Sequence, residues 1–297
     1  MPNFESIAPK DRLLYEVMPM LVGIGPDGML LCFGTCFVAL SHMAVTAKHV
    51  AEELLSKDPN IARGLPNKFE YWIIQILWDG DEHKYVVWTI DEIALCSHSD
   101  IAIIWLNALD ENAAQHKRWK AIPITFDPPP IGAVIRAYGH HNFRFDGSRL
   151  NADGKLEHLE LNSERSVATG VVKEHYWGGR DRGLYSFPCF EVDAKFEHGM
   201  SGGLVTNERG EVCGIVCGSL HASSANEDHV SYVTMLWPML TTPVGPELVP
   251  NGIESEKYCL RDLSLRGVFT PYGWERVHFH SDYKPGNLLT IQYLMKT

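Results

Sequence analysis

Residues 197–205 read EHGMSGGLV, a serine set among three glycines and followed by a β-type run. A serine hydroxyl is a poor nucleophile unless a base and an oxyanion-binding site are built around it. Glycines let the backbone turn sharply and bring bare amides close to a reacting carbonyl. Taken alone, the stretch fits a nucleophile turn and a glycine-rich turn with an incidental serine equally well.

The pattern after the serine separates two fold classes. Residues 199–203 also satisfy Gly-x-Ser-x-Gly, the nucleophile elbow of α/β-hydrolases. That fold needs a helix directly after the serine, and an acid and a histidine later in the chain. Residues 204–220 instead predict strand, turn and strand. The elbow is therefore disfavoured, although late histidines such as His221 and His229 exist.

Short apolar runs separated by turn signals fill most of the chain. Residues 13–24 and 29–40 predict one hairpin, and residues 71–78 and 83–90 predict another. Residues 142–155 are rich in Asn, Asp, Gly and Arg and predict an exposed loop. Many short strands of this kind favour an all-β sandwich or barrel.

Composition excludes several classes of protein. The 297 residues carry a net charge of −11, and no run of Lys or Arg exceeds two residues, so nucleic-acid binding is disfavoured. We expect no secretory signal and no membrane span, since no apolar run reaches about 18 residues. The seven cysteines are an odd number without a Cys-x-x-Cys pair. They favour reduced thiols in the cytoplasm over disulfides or a zinc knuckle.

A nucleophilic serine needs a base, and one of the 14 histidines stands out. His49 lies where a predicted strand ends and a short predicted helix begins, and imidazole has a pKa near working pH. Asp100 precedes the apolar run 101–104, so we expect its carboxylate to be partly buried and to need a partner. On these residues alone, a turn or cap role for Asp100 stays open.

Five short motifs occur in a characteristic order along the chain. They are GTCFV at 34–38, VTAKHV at 45–50, DIAII at 100–104, GMSGG at 199–203 and GIVCG at 214–218. Together they resemble the trypsin-like (chymotrypsin-fold) serine peptidases, closest in style to the intracellular and bacterial branch. The resemblance covers residues 15–240. It implies two six-stranded antiparallel β-barrels, with the catalytic groups in the cleft between them.

The resemblance also suggests how the chain is divided. Residues 1–118 would form the first barrel and residues 119–242 the second. Between them, residues 110–119 are polar and predict a helical linker. After Pro243 the composition changes to Pro- and Gly-punctuated sequence, so residues 243–297 are expected to be an extension packed on the core.

The matching positions imply a serine endopeptidase that acts on proteins or peptides without a cofactor or metal. Ser201 matches the nucleophile, His49 the general base and Asp100 the orienting acid. The amides of Gly199 and Ser201 match the oxyanion hole.

Further positions match the substrate-binding region. Cys217, Gly218 and Ser219 match the strand edge that pairs with the substrate backbone. Lys195 falls near the base of the primary specificity pocket and would favour an acidic residue there; a solvent-exposed lysine is the alternative. His198 either lines the cleft or is a surface histidine.

Departures from the family pattern carry information. Val50 and Glu197 stand where secreted members have cysteines, which fits a reduced compartment. Met200 stands where zymogen-activated members have an aspartate, so activation by that ion pair is not expected. Leu204 replaces the usual proline, which is a mild change, and no PDZ-like module is visible.

Two alternatives stay open. A catalytically quiet or partner-activated module would keep the fold and act in binding or regulation, with residues 243–297 as the candidate surface for a regulatory partner. A metal site would need more than the histidine pairs His140–His141 and His278–His280. Neither pair has a third ligand at a suggestive spacing.

Overall fold

The computed structural model describes residues 3–6, 12–25, 30–40, 42–57, 70–79, 82–108, 122–150, 156–220, 229–244, 258–281 and 291–295. The predicted linker at residues 110–119 lies outside them. No helix among the described residues is long and apolar enough to cross a membrane.

The first sheet contains seven strands and is flanked by two helices. The strands are β2 (Met20–Ile24), β3 (Leu30–Thr35), β4 (Phe37–Leu40), β5 (Met43–Thr46), β6 (Glu70–Asp79), β7 (Glu82–Leu95) and β8 (Ala102–Ala108); the helices are α1 (Arg12–Val17) and α2 (Lys48–Lys57). Their order is β3-β2-β6-β7-β8-β5-β4. Only Cys36 separates β3 from β4, so the two ends of the sheet are one bent strand and the sheet curls into a barrel.

The second sheet closes fully. Its strands are β1 (Asn3–Ser6), β9 (Val134–Leu150), β10 (Leu156–Tyr176), β11 (Cys189–Val192), β12 (Leu204–Thr206), β13 (Val212–Leu220) and β14 (Val230–Met235). The order β10-β11-β14-β13-β12-β9 returns to β10, which makes a six-stranded antiparallel barrel. Strand β1 pairs with β10, so the N-terminal residues join the second sheet although their sequence neighbours build the first.

The predicted all-β fold of two antiparallel barrels with few short helices is confirmed. The proposed division at residues 118 and 242 stays a prediction. The predicted loop at residues 142–155 is wrong over its first part, because β9 continues as a strand to Leu150. Phe143 and Phe145 alternate with exposed Asn142 and Arg144 and pack against apolar side chains of the first sheet.

The C-terminal segment adds α3 (Leu260–Leu265), β15 (Val277–Phe279) and β16 (Ile291–Tyr293). Arg276 reaches the second barrel through an ion pair with Asp127 at 2.6 Å. The Tyr293 ring stacks on Trp177, with centroids 5.5 Å apart. The described part of this segment is therefore packed against the second barrel.

The serine turn lies at the junction of the two sheets. The Ser201 carbonyl accepts a hydrogen bond from Thr35 N of the first sheet at 3.0 Å. The Gly202 amide donates to Val216 O of the second sheet at 2.9 Å. Gly202 has φ +83°, and a Cβ there would overlap the Thr35 carbonyl and the Thr46 hydroxyl. Only glycine fits between the sheets at this position.

A pair of glycine substitutions tests this constraint. Gly210 also has a positive φ, +75°, but a Cβ there meets nothing within 4 Å. Gly210→Ala should lower the free energy of unfolding by about 1 kcal/mol, from backbone strain alone. Gly202→Ala should lower it by about 3 kcal/mol or more, since overlap is added to strain. Urea unfolding measures both, and equal losses would contradict the steric constraint.

Candidate active site

His49 is presented by the first turn of α2, directly after β5. The strand end is buried at Thr46 and Ala47, and Val50 and Ala51 bury the inner face of the helix. The His49 side chain points the other way and is 45% exposed. A strand-to-helix transition thus holds one imidazole at the surface on a rigid base.

Asp100 reaches His49 from the turn between β7 and β8 and is 6% exposed. Its Oδ2 lies 2.9 Å from His49 Nδ1, and its Oδ1 lies 3.1 Å from the same nitrogen. Oδ1 also accepts a hydrogen bond from the His49 backbone amide at 3.0 Å. The carboxylate holds the proton on Nδ1, which leaves Nε2 as the free acceptor of a neutral ring.

The pair changes the titration of His49. Burial lowers its pKa, but the hydrogen bond and charge of Asp100 outweigh that effect and raise the pKa above the ordinary value of 6.5. Because the pKa of His49 is higher in the folded than in the unfolded protein, protonation of His49 stabilises the fold. This contribution is fully present at pH values below the pKa of His49 in the unfolded chain. This stabilisation is lost as pH rises through the folded value.

Ser201 occupies the turn between the barrels, and its hydroxyl donates to Cys217 O at 3.3 Å. Within the described residues, Ser201 and His49 form no hydrogen bond with each other. Catalytic hydrogen bonds are often long or unformed in a free enzyme and tighten when substrate binds. The geometry therefore brings the predicted His–Asp pair together and leaves the serine hydroxyl turned toward β13.

The two backbone amides predicted to bind an oxyanion have no hydrogen-bond acceptor among the residues that the structure describes. Neither Gly199 N nor Ser201 N donates a hydrogen bond to the described residues. Gly199 has φ +98°, and its carbonyl accepts from the Thr35 hydroxyl at 3.1 Å. That hydroxyl in turn accepts from His140 N at 2.9 Å. Thr35 was missed as a site residue, although it stands in the GTCFV motif.

Cys217 contacts both Ser201 and Asp100, in addition to its predicted place on the strand edge that pairs with substrate. Its carbonyl accepts the Ser201 hydroxyl, and its thiol lies beside the Asp100 carboxylate. Burial and then the negative charge of Asp100 raise the pKa of the thiol well above its ordinary value. The thiol is thus a protonated neighbour of the acid, a role that its place in GIVCG did not reveal.

The remaining predicted substrate-binding residues lie around the turn. The Lys195 ammonium pairs with Glu197 at 2.6 Å, and both side chains are partly exposed. Gly218 lies beside the Tyr185 hydroxyl, and Ser219 bonds to the backbone of residue 196. His198 is exposed and lines a cavity of about 620 Å³ together with Glu197 and residues 141–143.

A second cavity of about 380 Å³ opens at the His–Asp pair. His49, Asp100 and Cys217 form one side, and residues 183–187 form the other. Tyr185 fixes that loop, because its ring packs on Tyr232 with centroids 4.2 Å apart. The sequence before it, GGRDRG at 178–183, predicts only a flexible loop and does not reveal this wall.

Three side chains at this site, and two histidine pairs elsewhere, are candidate metal ligands. The potential ligand atoms of His49, Asp100 and Cys217 lie within 4.8 Å of one another, the one such group of three among the described residues. Hydrogen bonds account for this closeness, because the Asp100 carboxylate contacts the His49 ring and also lies beside the Cys217 thiol. His140 is buried and bonds to Met18 O at 2.9 Å, and burial lowers its pKa to about 3. The His278–His280 pair, with ring centroids 5.2 Å apart, gains no third ligand among the residues that the structure describes.

Comparison with known proteins identifies the family. Residues 34–215 match the trypsin-like peptidase domain. The chain belongs to the trypsin-like peptidase family. Membership supports serine peptidase activity and peptide or protein substrates. Among curated proteins, none matches the sequence significantly.

Solved structures of proteases match the chain at low sequence identity. The active form of the Rv3671c protease from M. tuberculosis is 16% identical over 78% of this chain and 83% of that chain, with a TM-score of 0.44. Its inactive form is 15% identical over 78% and 92%, with a TM-score of 0.42. An alanine variant of the HtrA-type protease AlgW with a decapeptide is 14% identical over 75% and 60%, with a TM-score of 0.44.

This trypsin-like peptidase departs from secreted relatives in its core. Met200 is fully buried beneath the turn, and its sulfur accepts from Glu197 N at 3.4 Å. An apolar side chain thus fills the position before Ser201 without needing an ion-pair partner. All seven cysteines are free thiols, including the buried Cys36, Cys96 and Cys213.

The raised pKa of His49 gives a direct prediction for this peptidase. An NMR titration should place its midpoint above 6.5, and Asp100→Asn should move it downward because the negative partner is removed. A His49 midpoint that does not change in Asp100→Asn would show that the pair does not form in solution.

Proposed function

We propose that the protein is a serine endopeptidase that works through a Ser201, His49 and Asp100 triad and an acyl-enzyme. The observation that carries the proposal is that both carboxylate oxygens of Asp100 lie within hydrogen-bond distance of His49 Nδ1, at 2.9 and 3.1 Å. This contact fixes the tautomer in which Nε2 can take a proton. Membership of the peptidase family and the serine turn between the barrels support the same assignment.

The chemistry follows from these positions. Ser201 rotates away from Cys217 O, and its Oγ attacks the peptide carbonyl carbon while its proton passes to His49 Nε2. The carbonyl oxygen becomes an oxyanion that accepts hydrogen bonds from Gly199 N and Ser201 N. His49 then gives the proton to the leaving amine. Water, deprotonated by the same nitrogen, cleaves the acyl ester and restores the serine.

Asp100 acts through His49 rather than on the substrate. The imidazolium formed during attack is stabilised by the carboxylate, whose Oδ1 is also held by the His49 amide. The Cys217 thiol is a further neutral neighbour of the carboxylate. The acid thus orients the ring and does not take the proton itself.

Compartment and partners complete the proposal. Seven free cysteines are consistent with a reducing compartment, so we place the enzyme in the cytoplasm. Residues 243–297 are the proposed surface for a regulatory partner. Their described part contacts the second barrel through Arg276 and Tyr293.

A catalytically quiet module is the second candidate. The observation that favours it is the Ser201 hydroxyl bonded to Cys217 O instead of His49. In that case the serine would stay turned toward β13 until a partner changed the turn. Covalent labelling separates the two functions, because only a serine activated by His49 reacts with an electrophilic phosphonate.

Labelling by a fluorophosphonate probe should modify wild-type protein at Ser201, mapped by peptide mass spectrometry. Ser201→Ala should abolish labelling because the nucleophile is gone, and His49→Ala should abolish it because the base is gone. His198→Ala is a matched control on the same turn and should label like wild type. A wild-type protein that stays unlabelled would support the quiet module.

Asp100→Asn tests the orienting acid more finely. The amide keeps the shape but favours the wrong imidazole tautomer, so kcat should fall about 10⁴-fold with the fold preserved. Peptide hydrolysis measures the rate, and circular dichroism checks the fold. An unchanged rate would remove Asp100 from the mechanism.

A further inference from the structure

The acyl-side specificity pocket can be located once Ser201 is taken as the nucleophile, so its assignment rests on the proposed function. The scissile carbonyl must lie between Ser201 Oγ and the amides of Gly199 and Ser201. Members of the trypsin-like family bind substrate along the strand edge that residues 217–219 match. In that binding mode the side chain before the cleaved bond, here called the P1 side chain, points toward the region between residues 194–198 and strands β13 and β14.

That gap is crossed by two serine side chains. Phe196 N lies 3.1 Å from Ser219 Oγ and 3.3 Å from Ser231 Oγ. The Ser219 hydroxyl donates to Phe196 O at 3.0 Å. The Ser231 hydroxyl donates to Ala194 O at 2.6 Å, and the two serine oxygens are 2.8 Å apart. Hydrogen bonds therefore join the two walls directly.

The strand register explains why both serines point the same way. Ser219 on β13 is directly opposite Ser231 on β14, and paired residues of an antiparallel ladder present their side chains on one face. Ser231 is fully buried and Phe196 is 4% exposed, whereas Ser219 is half-buried, so the contact is closed to solvent at its Ser231 end. A side chain longer than a few atoms has no channel between these walls.

Lys195 does not supply a charge inside this gap. Its ammonium pairs with Glu197 at 2.6 Å, and its side chain is 41% exposed. Because the Lys195 ammonium is already paired, we do not expect it to select an acidic P1 residue.

We propose that the Ser219–Ser231 pair closes the acyl-side pocket and restricts the P1 residue to glycine, alanine or serine. The substrate class is a peptide with a small residue before the cleaved bond. The two hydroxyls are specificity-determining groups, distinct from the groups that carry out the chemistry.

The test uses fluorogenic peptides that differ only at P1, with Gly, Ala, Leu, Phe or Asp there. Wild type should cleave the Ala peptide with kcat/KM at least about tenfold above the Leu, Phe and Asp peptides, since pocket contacts of this size discriminate 10–200-fold. Ser219→Gly with Ser231→Gly should raise the Leu-to-Ala ratio of kcat/KM about tenfold or more. Ser219→Thr adds a methyl group and should move the preference from Ala toward Gly.

Two controls separate this inference from the proposed function. Lys195→Ala should leave the P1 ranking unchanged; loss of an Asp preference in that variant would overturn the inference. Fluorophosphonate labelling runs in parallel and does not depend on P1. Protein that labels at Ser201 but prefers Leu, Phe or Asp refutes the serine pair and leaves the proposed function standing. Protein that neither labels nor cleaves refutes both.

Discussion

The site depends on one steric constraint, the passage of the serine turn between two barrels at a point with no room for a Cβ. Gly202 is held against Thr35 and Thr46, and hydrogen bonds fix the turn to each sheet. The same contact places Ser201 opposite the strand end that carries His49. Folding of both barrels therefore builds the proposed site, because the serine turn leads into the second sheet whereas His49 and Asp100 come from the first.

Electrostatics then distinguishes the groups that the turn brings together. Asp100 is buried and accepts from the His49 ring and amide, so its charge is directed at one imidazole. Cys217 remains a neutral thiol beside that charge and lends its carbonyl to the Ser201 hydroxyl. In the proposed reaction, the Asp100 carboxylate would stabilise the imidazolium formed in the transition state more than the neutral ring of the resting protein, and such a difference is what accelerates a reaction.

Much of this was legible in the sequence because the motifs are local and ordered. The strand after Ser201 disfavoured the elbow fold, and the resemblance of the ordered motifs to the trypsin-like peptidases implied that Asp100 pairs with His49. The pairing and packing of segments that are distant in the sequence could not be predicted from it. The alternation of Phe143 and Phe145 is masked by polar, turn-forming neighbours, and only packing on the first sheet makes that segment a strand. The roles of Thr35 and the Cys217 thiol depend on contacts between distant segments, which spacing along the chain does not encode.

The central claim is that Ser201 becomes covalently acylated with His49 as its base. Rapid mixing with p-nitrophenyl acetate, read by p-nitrophenol release and by intact mass, tests it most directly. An acyl-enzyme at Ser201 predicts a burst equal to the enzyme concentration, and one acetyl group that maps to Ser201 and is absent from His49→Ala. Release of p-nitrophenol without a burst, or acetyl groups spread over surface lysines while Ser201 stays unmodified, would contradict it.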